Sequence, residues 1–196
     1  MKNIINGLYI HGRFQMKIID ISIQNLLKTF IHEYPDWPIK GVKYFDINPL
    51  YKNAKARETL VTACMEQIEE MSIDLSFDHI AVVESRGFII GSILADYLKK
   101  GLVLVRNKPG RLPGEFCFRE HLLEYGNGRV EVQKGTGKVM LFDDVIATGG
   151  TSQAAADALT SAGYEVVGAQ FLVELTYCEP KFAFPYCAPI QYEQQI

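Results

Sequence analysis

Residues 138–163 read KVMLFDDVIATGGTSQAAADALTSAG: an apolar run, two adjacent acids, a Gly-Gly pair and several hydroxyls within one short segment. Val139 to Phe142 has the pattern of a strand buried on both faces of a parallel sheet. Asp143 and Asp144 close that run. A tight turn, Ala147-Thr148-Gly149-Gly150-Thr151-Ser152, follows, and an Ala-rich helix begins near Gln153. Backbone N–H groups, the positive end of the helix dipole and the hydroxyls of Thr148, Thr151 and Ser152 can converge there on one phosphate. Gly149 and Gly150 permit close backbone approach. Two carboxylates beside a phosphate cannot ligate it, but they suit the hydroxyls of an attached ribose, or a magnesium ion held through water. An isolated Asp-Asp or Gly-Gly would more simply cap a turn; the whole combination is more specific. It lacks the Gly-Lys of a nucleotide P-loop and the G-x-G-x-x-G of a dinucleotide fold.

Working outward, Ile80 to Val83, Leu102 to Val105 and Val166 to Val173 repeat the buried-strand pattern. Leu26, Leu27, Phe30 and Ile31, then Leu60, Val61, Cys64, Met65, Ile68 and Met71, recur at helical spacing. Strand and helix alternate, which predicts an α/β fold: a mostly parallel, twisted sheet flanked by helices. Such sheets bind ligands at the carboxyl ends of their strands, where the Asp-Asp turn lies.

The 196 residues are the length of one α/β domain, and no repeat, low-complexity tract or Gly/Ser linker marks a second. A net charge of -3 with no long basic run argues against nucleic acid. Gly, Ser or charge interrupts every apolar stretch before the roughly 20 residues of a membrane span. Cys64, Cys117, Cys178 and Cys187 form no C-x-x-C pair and no cluster with histidine, which fits free thiols in the cytoplasm. The first 20 residues make a poor signal peptide.

VMLFDDVIATGGTS resembles the phosphoribosyl pyrophosphate (PRPP) motif of type I phosphoribosyltransferases. VVESRGFIIG, VRNKPGRLPGE and LLEYGNGRVEVQKG resemble, in the same order, the pyrophosphate loop, flexible loop and return strand of the adenine branch. The resemblance, from about Tyr34 to the end, implies transfer of 5-phosphoribose from PRPP to adenine, giving AMP and pyrophosphate in purine salvage. It also implies magnesium as cofactor and a homodimer. One phosphoribosyltransferase domain spans 1–196, with a 1–19 extension, a 20–45 hood over the carboxyl edge and a 106–126 flexible loop. Met16 is an expected alternative start, since residues 1 to 15 lie outside the resemblance.

Carried residue by residue, the resemblance places ribose and phosphate on Asp143, Asp144, Ala147, Thr148, Gly149, Gly150 and Thr151, with the two acids holding magnesium through water. Pyrophosphate falls to Glu84, Ser85, Arg86 and Gly87, with a non-proline cis peptide at Glu84-Ser85, and to Arg106, Lys108 and Arg111 of the loop. Arg86, Glu124 and Tyr125 are the catalytic candidates, Glu124 managing an adenine ring proton. The base site takes Lys43, Tyr44, Phe45 and Ala147. Where the family usually reads G-x-x-F-R-D, this chain reads GVKYFD, so the aromatic is kept as Tyr44 and the arginine is replaced by Phe45. If backbone groups of Lys43 to Phe45 read the base, a Phe45→Arg variant keeps the choice of adenine. Two rivals remain: the same reaction with another nucleobase, and a PRPP-sensing regulator of this fold. A regulator needs an added DNA-binding segment, and the short stretch before Leu26 offers no basic helix.

Overall fold

The computed structural model describes residues 9–10, 13–14, 20–71, 76–108, 110–123 and 126–193. A short hairpin of β1 (Tyr9–Ile10) and β2 (Arg13–Phe14) precedes α1 (Ile21–Lys28), which the Asp20 side chain caps by accepting from Ser22 N at 2.9 Å. A second hairpin, β3 (His32–Tyr34) with β4 (Tyr44–Asp46), leads into α2 (Asn48–Lys52) and the long α3 (Ala54–Glu70). Alternation follows: β5 (His79–Val83), α4 (Gly87–Leu98), β6 (Gly101–Val105), then an antiparallel ribbon of β7 (Phe116–Leu123) and β8 (Gly126–Gln133). The chain ends with β9 (Gly137–Ile146), α5 (Gly150–Ala162), β10 (Tyr164–Leu175), β11 (Tyr186–Cys187) and β12 (Ile190–Tyr192).

Six strands form one parallel sheet in the order β11-β10-β9-β5-β6, with β12 also on β10. Period-2 alternation divides the central strands β5 and β9 between two cores. Ile80, Val82, Met140, Phe142 and Leu172 pack with Leu27 of α1, Leu60 and Ile68 of α3, and Ile90 and Leu94 of α4. Ala81, Val83, Leu141 and Phe171 pack on the other side with the alanines of α5 and with Val130 and Val132 of the ribbon. At roughly 25 cal/mol per Å² of apolar surface, these cores are the main source of stability. Among the described residues, no helix is long and apolar enough to cross a membrane.

The expected α/β architecture is present, with four local differences. β6 is an edge strand, so Leu102 and Leu104 are exposed rather than buried on both faces. β9 runs on through the two acids to Ile146, because β10 keeps pairing alongside it, Phe171 opposite Asp143 and Val173 opposite Val145. The first helix stops at Lys28, and the hood also contains the β3–β4 hairpin. Among the described residues of the expected 106–126 loop, 106–108 and 110–115 lie outside the named strands. From Phe116 the chain enters β7, which pairs with β8 along eight residues and is pinned to α5 through Cys117 Sγ on Ser161 O at 3.2 Å and through Arg119 on the Ser161 hydroxyl.

Candidate active site

Asp143 and Asp144 lie at the carboxyl end of β9, both less than a tenth exposed. Burial holds the Asp143 carboxyl well above the usual aspartate range, and the adjacent Asp144 charge adds to this. Its Oδ1 accepts the Asp144 N–H at 2.8 Å. The first residue of α4 must be small here, since a Cβ on Gly87 would come within 3.2 Å of Asp143 Oδ1. Asp143 thus sits under the positive end of α4. Asp144 Oδ2 is 2.5 Å from Arg86 Nε, yet buried with no aligned hydrogen bond. That contact is a charge pair whose acceptor capacity is not used up, which fits a ribose hydroxyl or a hard cation.

The turn after β9 opens directly into α5, two to three residues earlier than the sequence suggests. Gly149 caps the helix at φ +88°, and a Cβ there would meet Lys181 O at 2.3 Å. The neighbouring loop is fastened to the turn by Lys181 N donating to Thr148 O at 2.9 Å. Thr148 is exposed and Thr151 half-buried, whereas Ser152 is buried, so the three hydroxyls are not equally offered to a ligand.

Glu84 to Gly87 follow β5 as expected, and the Glu84-Ser85 peptide is cis. Glu84 does not present itself to an anion. Its carboxylate lies 3.3 Å from Arg106 Nε and 3.9 Å from Arg111 Nη1, and accepts the Asn107 N–H at 3.1 Å. Asn107 Nδ2 returns a bond to Glu84 O at 2.9 Å. The root of the loop is therefore stitched to the turn after β5, with Ser85 and Lys108 exposed beside it. A second carboxylate, which sequence reasoning missed, holds the loop further along. Glu131 of β8 is fully buried, pairs with Arg129 Nη2 at 2.9 Å, and accepts the Gly110 N–H on both oxygens at 3.2 and 3.0 Å. An acid between Val130 and Val132 is the signal that could have revealed it.

In the hood, Lys43 pairs with Glu33 at 3.1 Å across the β3–β4 hairpin. The Tyr44 ring packs under Trp37 with centroids 4.4 Å apart, and its hydroxyl accepts Arg86 Nη1 at 2.8 Å. Phe45 turns the other way. Its ring is in the core, 4.6 Å from the Tyr192 ring, and only its backbone carbonyl faces the site, 3.3 Å from Arg86 Nη1. Phe45→Arg would therefore bury a guanidinium and lose ring packing. It is expected to cost at least about 3 kcal/mol, lowering Tm by roughly 6–12 °C in a thermal melt. Glu124 and Tyr125 lie outside the described residues. Ala147 is half-buried at the start of the turn between β9 and α5.

The site thus joins a helix N-terminus, two buried acids and a fork of arginines at one sheet edge. The family model for the phosphoribosyl transferase domain matches residues 50–177. The chain belongs to this family. Among phosphoribosyltransferases, the adenine phosphoribosyltransferase of Pseudothermotoga lettingae is 44% identical over 160 residues, 79% of this chain and 91% of the relative. That of Thermotoga maritima is 43% identical over 161 residues, 79% of this chain and 89% of the relative. The crystal structure of the Saccharomyces cerevisiae adenine phosphoribosyltransferase, complexed with an imino-altritol bisphosphate and adenine, superposes with a TM-score of 0.80 at 31% identity. It covers 87% of this chain and 100% of the yeast one. The phosphoribosyltransferase match takes in both the turn after β5 and the turn after β9, and the adenine phosphoribosyltransferases matched over 79% of the chain place it in the adenine branch.

Proposed function

We propose that this chain transfers the 5-phosphoribosyl group of PRPP to adenine, giving AMP and pyrophosphate, in purine salvage. The observation that carries this reading is the α5 N-terminus set beside two buried acids and Arg86. The ribose 5-phosphate sits on the N–H groups of residues 147–151, and Asp143 and Asp144 accept the ribose hydroxyls. The adenine nitrogen attacks the anomeric carbon; the bond to pyrophosphate breaks, the electron pair leaves with pyrophosphate, and the ring nitrogen gives up its proton, which Glu124 takes. Positive charge builds on the ribose while negative charge builds on the leaving group. Arg86, Ser85 and the loop cations Arg106, Lys108 and Arg111 act on the leaving group, and Glu84 aims two of those arginines. The hood strand, with Lys43, Tyr44 and the Phe45 backbone, holds the base, and Tyr125 is the further catalytic candidate beside Glu124.

Magnesium fits the two acids, because Asp144 Oδ2 is a buried acceptor without an aligned donor. Asp143 and Asp144 would hold it through water, beside PRPP. When bound, it offsets charge on the departing pyrophosphate. A homodimer working in the cytoplasm completes the proposal. The test is a coupled assay of PRPP with adenine, hypoxanthine, guanine, xanthine and uracil. Turnover confined to another base supports the first rival, and PRPP binding without turnover supports the regulator.

Gly149→Ala separates the turn from the rest of the site. An L side chain at this φ is strained by roughly 1–3 kcal/mol, and its Cβ displaces the Lys181 carbonyl. The KM for PRPP is expected to rise by about tenfold or more, with the KM for adenine changing less. Initial rates against each substrate decide it.

A further inference from the structure

Arg86 spans two walls of the site. Its Nε lies on Asp144 Oδ2 at 2.5 Å, while its Nη1 donates to Tyr44 Oη at 2.8 Å and to Phe45 O at 3.3 Å. Its guanidinium carbon also lies 5.2 Å from the Tyr44 ring centroid. A fork whose Nε and Nη1 are both committed has lost most of its rotamer freedom before any ligand arrives. The Tyr44 ring packs against Trp37 with centroids 4.4 Å apart, which narrows the swing of the phenol oxygen. This chain departs from the usual hood pattern at two adjacent positions. Phe45 stands where an arginine is usual, and Tyr44 carries a hydroxyl that phenylalanine lacks.

We propose that the Tyr44 hydroxyl is a positioning group for PRPP binding: it holds the Arg86 guanidinium between the hood and the β9 acids, so that pyrophosphate meets a preset cation. The hydroxyl tethers the hood to the turn after β5, in a hood strand with no arginine of its own. Tyr44 thereby acts through Arg86 and not on the anion itself. This rests on PRPP being the ligand.

Tyr44→Phe removes one oxygen and keeps the ring, its Trp37 contact and the β3–β4 pairing. PRPP affinity is measured by isothermal titration calorimetry with magnesium present, and KM for both substrates by initial rates. One hydrogen bond to a charged group sets the scale, so PRPP binding is expected to weaken by about tenfold. KM for adenine should change by less than about twofold, and Tm should fall by only roughly 2–6 °C, the cost of one hydrogen bond made in the free protein. In an Arg86→Lys background, which keeps the charge but lacks the fork, adding Tyr44→Phe should produce no further loss. Unchanged PRPP affinity in Tyr44→Phe overturns the proposal. So does an equal loss in the Arg86→Lys background, or a loss confined to adenine, since the hydroxyl would then act on substrate directly. Wild-type protein that binds no PRPP overturns the proposed function and this inference together, whereas intact PRPP binding with an indifferent Tyr44→Phe overturns this inference alone.

Discussion

Asp143→Asn combined with Asp144→Asn is expected to lower kcat/KM by at least about a thousandfold while leaving the fold intact, since losing one preorganised electrostatic partner already costs roughly a hundred- to a thousandfold. The amide oxygen introduced at position 143 can still accept the N–H of residue 144, and Arg86 keeps its contacts to Tyr44 and Phe45. Stability should move in the opposite direction to activity. Burial and the Asp144 charge raise the Asp143 carboxyl in the folded state, so the folded protein retains a proton that the unfolded chain has already released. Above the ordinary aspartate range the folded state binds more protons than the unfolded one, and wild-type stability falls as pH rises toward the raised value. Asparagine has no proton to lose. Without substrate or divalent ions, the Tm of Asp143→Asn relative to wild type should therefore increase from pH 5 to pH 8. A folded double variant that turns over normally removes the ribose assignment, and a Tm margin that shrinks with pH removes the burial argument.

The second large effect is a preference for adenine over hypoxanthine and guanine of at least roughly a hundredfold. Adenine offers a donor at its exocyclic nitrogen and an acceptor at N1; a 6-oxopurine presents the reverse. If backbone groups of residues 43–45 read that edge, a 6-oxopurine leaves two of them facing like partners, at about 1–3 kcal/mol each. The fold allows this reading, because one edge of β4 is occupied by β3 and the Phe45 carbonyl is turned toward the site. The Phe45 ring is in the core and cannot select the base. Phe45→Leu, which the core can accept, should therefore preserve the preference, and it is a cleaner probe than the destabilising Phe45→Arg. The measurement is kcat/KM for the three bases at saturating PRPP and magnesium. Comparable values for adenine and hypoxanthine would show that side chains or water do the reading.

What the sequence disclosed follows from how local each signal is. β5, β9 and β10 announce themselves as short apolar runs, and the acids, the Gly-Gly turn and α5 are contiguous, so the heart of the site is readable in one segment. β3 escapes because His32, Glu33 and Tyr34 are all exposed and carry no alternation. The ribbon escapes because Gly and Pro between 109 and 114 dominate the reading, while β7 keeps Arg119, Glu120 and His121 among its apolar residues. Tyr44 meets Arg86 across 42 residues of chain, and Gly110 meets Glu131 across 21. Contacts of that range are products of topology, and no spacing rule in the sequence encodes them.

The pairing of Arg86 with Asp144, and of Arg106 and Arg111 with Glu84, sets how a polyanion finds this site. Each cation is matched at contact distance by an acid, and the whole chain is slightly negative. Seen from beyond a Debye length of roughly 8 Å, these pairs nearly cancel and do little to steer an approaching phosphate. Encounter is then ordinary diffusion, only weakly sensitive to ionic strength. Attraction begins only when the anion reaches the donor edges of arginines that the carboxylates hold in place, so selectivity resides in that short-range contact and not in the approach.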